Sequence, residues 1–398
     1  MSDRPTTGAL LGTRIPRLIE LWRASQNSDR HPESSTRLSH REVEAAGAAL
    51  LALQRGLTGG RILAGAGYMG DRELLGAYLL YYWPVSYLQV SLALAEHPCS
   101  PKRVLDLGSG PGPASAAVVD ALAGTGGSVD ELVLVDASEN ALGLAASILG
   151  SVPGGPSHLT TVRLDLQAGA QLPEGPFDLI LFGHCLNELW TGETDALERR
   201  TRLLEDAAER LSPEGRILLV EPALLATCRD LIGLRDRFVS RSWRVLAPCP
   251  GTYPCPVLGA GPDRSCHAES PWKAPEIVAS LAKAAGLERD SVKFAFFFLA
   301  PASVLLAAPD ETSVEDRRVI SGPMLNKAGR LRYILCGNSR LETISAVASD
   351  AGLRAKGFLD LRRGDIIRAR GLERRAGGGG LVQASELDLR AKAPEAST

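Results

Sequence analysis

The stretch Val104-Leu-Asp-Leu-Gly-Ser-Gly-Pro-Gly112 decides the fold of this chain. An apolar run leads into glycines at 108, 110 and 112, and a helix-forming run, 114–122, follows. Glycine turns tightly and lets backbone approach a ligand where a Cβ would clash. A strand, a glycine loop and a helix in that order open a nucleotide-binding sheet. Outward from it, residues 100–300 alternate strand and helix signals, as a doubly wound parallel sheet does. Strands are expected at Arg103–Leu107, 132–135, 161–164, 177–182 and 216–220, with helices at 138–149 and 195–211. A helix at 275–285 then precedes two strands, 292–299 and 303–308, read as an antiparallel pair. The fold class is α/β, a Rossmann-like sheet.

Three acids stand at the ends of these strands. Asp106 lies just before the first glycine, where it suits a ligand carrying an amino-acid ammonium group. Asp136 ends the second strand, where a carboxylate accepts hydrogen bonds from both ribose hydroxyls. Asp165 ends the third and is placed to meet an adenine amine. Pro111 and Pro113 depart from the G-x-G-x-x-G pattern of dinucleotide folds. With Gly108, Gly110 and Gly112, these residues resemble S-adenosylmethionine (SAM) methyltransferases. After the fourth strand comes Gly183-His-Cys-Leu-Asn-Glu-Leu-Trp190, which borders the transferred methyl group in that fold. His184, Asn187 and Glu188 are the candidates for chemistry there. His184 is either a general base or a satisfied structural histidine. Asn187 and Glu188 either cap the next helix or contact the cofactor. The Asn/Asp-Pro-Pro-aromatic run of nucleic-acid amino-methylating enzymes is absent.

Seven cysteines, an odd number, argue against a disulfide framework. Three lie in a connection far longer than usual: Ala247-Pro-Cys249-Pro-Gly-Thr-Tyr-Pro-Cys255-Pro256, then Cys266-His267. Thiolates in this spacing suit a soft metal or an iron–sulfur cluster. The C-x5-C interval is wide for the short knuckles of structural zinc, although zinc remains the alternative. Cys336 is the expected fourth ligand, with His267 in reserve, and a [4Fe–4S] cluster is the preferred occupant. Reduced loop cysteines and a Pro-Cys nucleophile that adds to a nucleobase are the other readings.

The organisation follows. Residues 1–97 form a helical module, with Ser39 and Glu42 as a capping box and a helix over 71–96 bent at Pro84. Residues 98–308 form the methyltransferase domain, with the cysteine insertion at 222–274. Residues 309–375 form a small β-rich appendage, and 376–398 a disordered tail. The chain of 398 residues is nearly neutral, with net charge −2, so it is no polycation drawn as a whole to nucleic acid. Between Arg354 and Arg375, however, eight basic residues face three acids. They are read as either a solvated face or a polyanion contact. No apolar run reaches the roughly 18–20 residues of a membrane span, and no signal segment is evident. A cytoplasmic monomer is expected.

The chain resembles the methyltransferase-like mitochondrial small-ribosomal-subunit proteins and their bacterial relatives over roughly residues 70–370. The resemblance rests on the Tyr78–Gln89 run YLLYYWPVSYLQ, the Asp106–Gly112 loop, His184–Trp190, the paired Pro-Cys-Pro segments, Phe294–Leu299 and Cys336. It implies a SAM-binding fold, a four-cysteine [4Fe–4S] cluster, and association with the small ribosomal subunit and its rRNA, by methylation or in assembly. Gly251 stands where relatives often carry histidine.

Overall fold

Apolar runs too continuous for a half-solvated strand need cover on both faces, and the chain supplies it with helices. In the computed structural model, residues 6–26, 36–59, 66–150, 154–169, 171–287, 290–304, 316–370, 372–375, 378–380 and 387–396 are described. The chain divides into two compact units, 1–221 with 271–292 and 395–398, and 222–270 with 293–394.

The first unit begins with helices α1 (Thr7–Ser25) and α2 (His40–Gln54). The expected capping box closes α2: the Ser39 amide donates to Glu42 at 2.7 Å and the Glu42 amide to Ser39 Oγ at 3.4 Å. Then follow α3 (Arg72–Ala77), one π turn (Tyr78–Tyr82) and α4 (Trp83–Glu96). Pro84 follows a π turn inside a helical run that continues from Arg72 to Glu96, so the irregularity expected at 84 falls in the turn before it.

The sheet strands are β1 (Arg103–Leu107), β2 (Glu131–Asp136), β3 (His158–Arg163), β4 (Phe177–Gly183) and β5 (Leu211–Pro222). All pair in parallel in the order β3-β2-β1-β4-β5. Helices α5 (Pro113–Ala123), α6 (Glu139–Leu149) and α7 (Ala196–Ala208) are the crossovers. The order reverses between β1 and β4, so a crevice opens at the carboxyl ends there. The N-terminal helices are tied to this sheet by buried polar bonds. Arg14 pairs with Asp120 of α5, and the Tyr87 hydroxyl donates to the same carboxylate at 2.8 Å. Gly47 lets the helix Glu276–Ala284 close onto α2, since a Cβ there would meet Ala284 Cβ at 2.7 Å.

The second unit contains α8 (Leu225–Ser240), β6 (Arg244–Ala247), α9 (Pro256–Gly259), β7 (Ala268–Pro271) and β8 (Ser291–Ala300). β8 pairs antiparallel with β6. Residues 302–303 turn, and 305–308 lie outside the described residues. Thus the cysteine insertion groups with the C-terminal region. That region forms a second sheet from β9 (Asp316–Val319), β10 (Met324–Leu325), β11 (Arg330–Gly337), β12 (Arg340–Val347), β13 (Ile366–Ala369), β14 (Glu373–Arg375), β15 (Gly378–Gly380) and β16 (Leu387–Ala391). Tyr333, Leu335, Ile344, Phe358 and Ile367 fill its core. The segment expected to be disordered is not wholly so: β16 pairs with β13, and the Ala393 amide donates to buried Asp365 at 2.9 Å. Its alternating Leu387 and Leu389 give it a strand face that the preceding glycine run obscures.

Among the described residues no helix is long and apolar enough to cross a membrane.

Candidate functional site

In the first unit, β1 delivers a loop whose glycines all take left-handed backbone: φ is 70° at Gly108, 51° at Gly110 and 76° at Gly112. Gly108 also has no room, because a Cβ there would stand 2.5 Å from Cys185 Cβ. The Gly108 and Ser109 amides donate to the Val135 carbonyl at 2.8 and 2.9 Å, and Trp83 Nε1 donates to the Pro111 carbonyl at 2.9 Å. The loop is therefore fixed before any ligand arrives.

The loop edges a cleft at the carboxyl ends of the strands. Gly108, Gly110, Asp136, Asp165, His184 and Glu188 line it, with Tyr68, Met69 and Tyr78 opposite in sequence origin. Asp136 is held rigidly: Oδ2 accepts from the Gly110 amide and Oδ1 from the Ser138 amide, both at 2.8 Å. Burial raises its pKa against those bonds. Asp165 accepts from the Gln167 amide at 2.9 Å. Asp106 and Gly112 lie behind the lining rather than in it. Asp106 is fully buried; its Oδ2 accepts from Ser115 Oγ at 2.6 Å, while Oδ1 is enclosed without a partner. Burial pushes its carboxyl up to about 7.

The segment after β4 is built on strain. His184 has φ 62°, and its amide donates to the Val220 carbonyl at 2.7 Å. Its Nε2 is enclosed without a partner, and burial holds the imidazole down to about 4, so the ring is neutral at physiological pH. The Cys185 thiol donates to the Leu107 carbonyl at 3.1 Å, and burial raises its pKa far above the usual thiol range. That suits a packing group and not a nucleophile. Asn187 faces away from the cleft: its amide and Nδ2 donate to Glu221 at 3.2 and 2.7 Å. Glu188 accepts from the Tyr68 hydroxyl at 3.4 Å.

Sequence reasoning passed over Glu221 and Gln167. Glu221 is 1% exposed and burial pushes its carboxyl up to about 7 despite the Asn187 bonds. Its position at the carboxyl end of an apolar strand is the same signal that singled out Asp136. Gln167 accepts from the Trp190 amide at 2.7 Å and pins the segment's far end.

In the second unit, Cys249, Cys255 and Cys266 sit on the loops between β6 and β7, and Cys336 on β11. None forms a disulfide. The four thiols are electrostatic neighbours. Burial raises all four; Cys336 is raised further by Cys249, Cys266 and Cys255, and Cys266, pushed up to about 11, by Cys249. Cys255 is pushed up to about 12 by burial and by Cys249 and Cys266, and Arg235 and Arg318 work against the rise at Cys249. Among the described residues no three His, Cys, Asp or Glu side chains converge closely enough to hold one metal ion. His267 Nδ1 is enclosed without a partner, and burial holds the ring down to about 4.

The basic 354–375 segment is not one solvated face. Arg368 is buried and pairs with Asp316 at 2.8 Å, and Arg363 faces Glu269 at 3.8 Å. Arg354, Lys356, Arg362 and Arg370 are exposed. The side chains of Arg374 and Arg375 lie outside those described.

Similar folds occur among solved methyltransferases, at low overall likeness. The plantazolicin methyltransferase BpumL in complex with SAH is 13% identical, with TM-score 0.33, over 66% of this chain and 98% of that one. A SAM-dependent methyltransferase from Leishmania major is 15% identical, with TM-score 0.35, over 71% and 91%. A ribosomal protein L11 methylase from Lactobacillus delbrueckii subsp. bulgaricus is 12% identical, with TM-score 0.30, over 55% and 77%. No curated protein matches the chain in sequence. The family model described as mitochondrial small ribosomal subunit Rsm22 matches residues 74–347, which hold the π turn, the glycine loop, the His184–Trp190 segment and Cys249, Cys255, Cys266 and Cys336. The chain belongs to the mitochondrial small ribosomal subunit Rsm22 family.

Proposed function

We propose that this chain is a SAM-binding, iron–sulfur protein of the methyltransferase type that acts on the small ribosomal subunit. The observation that carries the cofactor reading is the cleft at the strand-order reversal, with Asp136 fixed by the Gly110 and Ser138 amides and facing into it. Asp136 would take the ribose hydroxyls and Asp165 the adenine amine. The unpartnered Oδ1 of Asp106 leaves negative charge behind the loop for the methionine ammonium. Gly108 and Gly110 bring bare backbone to the edge of that cleft. Bound there, SAM supplies an electrophilic methyl group, and the His184–Trp190 segment borders it. Equilibrium titration with SAM tests this: binding in the wild-type chain and its loss in Asp136→Ala are expected, and undiminished binding by that variant overturns the site.

The cluster reading is supported by the donor set. Cys249, Cys255, Cys266 and Cys336 are electrostatic neighbours, and thiolates in such a set suit a soft metal or an iron–sulfur cluster. Cys249, Cys255, Cys266 and Cys336 would hold it, and the family's ribosomal name supplies the partner. The exposed Arg354, Lys356, Arg362 and Arg370 would contact rRNA phosphates, and such binding weakens with salt.

A second reading, an assembly factor without methyl transfer, is favoured by one observation. Asn187 is turned onto Glu221, so one of the three expected reacting groups is engaged in structure. Transfer of a labelled methyl group to small-subunit rRNA, lost in Asp136→Ala, would eliminate it.

A further inference from the structure

We infer that Arg235 and Arg318 are the counter-charges of the cysteine site: they offset the negative charge of a thiolate-bound cluster and lash the loop bearing Cys249 and Cys255 around it. This rests on the iron–sulfur reading above.

A guanidinium removed from water is strongly destabilising unless anions and acceptors replace its hydration. Arg235, on α8, is fully buried. Its Nη1 bonds Asp236 and the Tyr253 carbonyl, but Nε and Nη2 are enclosed with no hydrogen-bond partner. Asp236 does not belong to Arg235 alone, since both its oxygens accept from the Cys255 amide, at 3.1 and 3.0 Å. Three N–H groups, one on Nε and two on Nη2, are therefore enclosed near Cys249 and Cys255 with no oxygen to receive them. Sulfur carrying negative charge completes them.

Arg318 comes from a different element and reaches the same place. It lies directly opposite Cys336 in the β9–β11 register. Opposed residues on neighbouring strands project to the same side with Cβ atoms about 5 Å apart. Val319 and Leu335 enter the sheet's core, so Arg318 and Cys336 share the other face. Arg318 is 6% exposed, and its Nη1 donates to the Pro248 carbonyl at 3.1 Å.

The two arginines thus bond the carbonyls just before Cys249 and two residues before Cys255, from a helix on one side and a strand on the other. Arg363 also lies near Cys266, but it already faces Glu269 and bonds the Ile320 carbonyl. Four thiolates around an oxidised [4Fe–4S] core form a doubly negative unit. Two buried guanidinium groups oppose that charge, and they favour the added electron on reduction.

The test uses the full chain, purified without oxygen, as wild type, Arg235→Met, Arg235→Lys and Arg318→Met. Iron and sulfide content, the cluster midpoint potential and the rate of iron loss to a chelator are measured. Both Met variants are expected to shift the potential negative and to lose iron several-fold faster. Arg235→Lys keeps the charge without the planar fork. It is expected to restore the potential and to keep the faster loss, which decides the matter should a Met variant fail to fold. Met variants with wild-type potential and chelator resistance overturn the arginine assignment and leave the cluster standing. An Arg235→Lys potential no closer to wild type than that of Arg235→Met, or its wild-type chelator resistance, overturns it too. A wild-type chain without iron and sulfide overturns the cluster reading itself.

Discussion

Replacing Gly108 with alanine tests the loop at its tightest point. Two costs add. The backbone at φ 70° disfavours an L-residue by about 1–2 kcal/mol. The new Cβ stands 2.5 Å from Cys185 Cβ and 2.8 Å from its Sγ, and overpacking of this kind costs about 1–3 kcal/mol. Cys185 cannot swing aside, because the nearer atom is adjacent to its own backbone and the thiol is tied to the Leu107 carbonyl at 3.1 Å. The expected loss is about 2–5 kcal/mol by urea denaturation, read as a lowered midpoint at unchanged slope. In a Cys185→Gly background the steric part vanishes and only about 1–2 kcal/mol remains. A Gly108→Ala cost below about 0.5 kcal/mol, or equal costs in the two backgrounds, refutes the reasoning.

Three further outcomes follow from the first unit. Asp120→Ala leaves the Arg14 guanidinium buried without its carboxylate and should cost about 3–5 kcal/mol; Arg14→Met/Asp120→Leu should recover much of it, and the pair of melting curves decides. Burial raises Asp106 and Glu221 to about 7, so the folded state holds protons that the unfolded chain releases near pH 4. Their contribution to stability is complete below that pH and is lost as pH rises through about 7. A transition midpoint flat from pH 4.5 to 8 in wild type, with Asp106→Asn and Glu221→Gln the same, contradicts it. SAM affinity should rise as pH passes about 7, because only ionised Asp106 attracts the ammonium, and Asp106→Asn should remove that dependence in calorimetric titrations.

The parallel sheet was legible because its strands are buried on both faces, which leaves continuous apolar runs between a glycine loop and helix caps. The pairing of β8 was not. Its partner, Arg244–Ala247, is only four residues long and lies in an insertion whose prolines and cysteines mark a loop. The strand-end position of Asp136 and Asp165 beside the cleft was legible, and Glu221 obeys the same rule. What sequence could not show is that Asp106 sits behind the loop and Asn187 turns to Glu221, since both depend on tertiary packing. Cysteine spacing pointed to the thiols themselves. Arg235 and Arg318 gave no such signal, because an arginine in a helix or short strand ordinarily marks a solvated face. In the basic 354–375 segment Arg363 faces Glu269 of β7 and Arg368 pairs with Asp316 of β9, and residue spacing shows neither partner.

Metal and sulfide analysis of the anaerobically purified chain tests most directly whether four thiols share one inorganic centre. About four irons and four sulfides per chain are expected, with broad visible absorbance that disappears in Cys249→Ser and in Cys336→Ser. An iron-free chain carrying a single zinc, or iron and sulfide retained in Cys336→Ser, contradicts it.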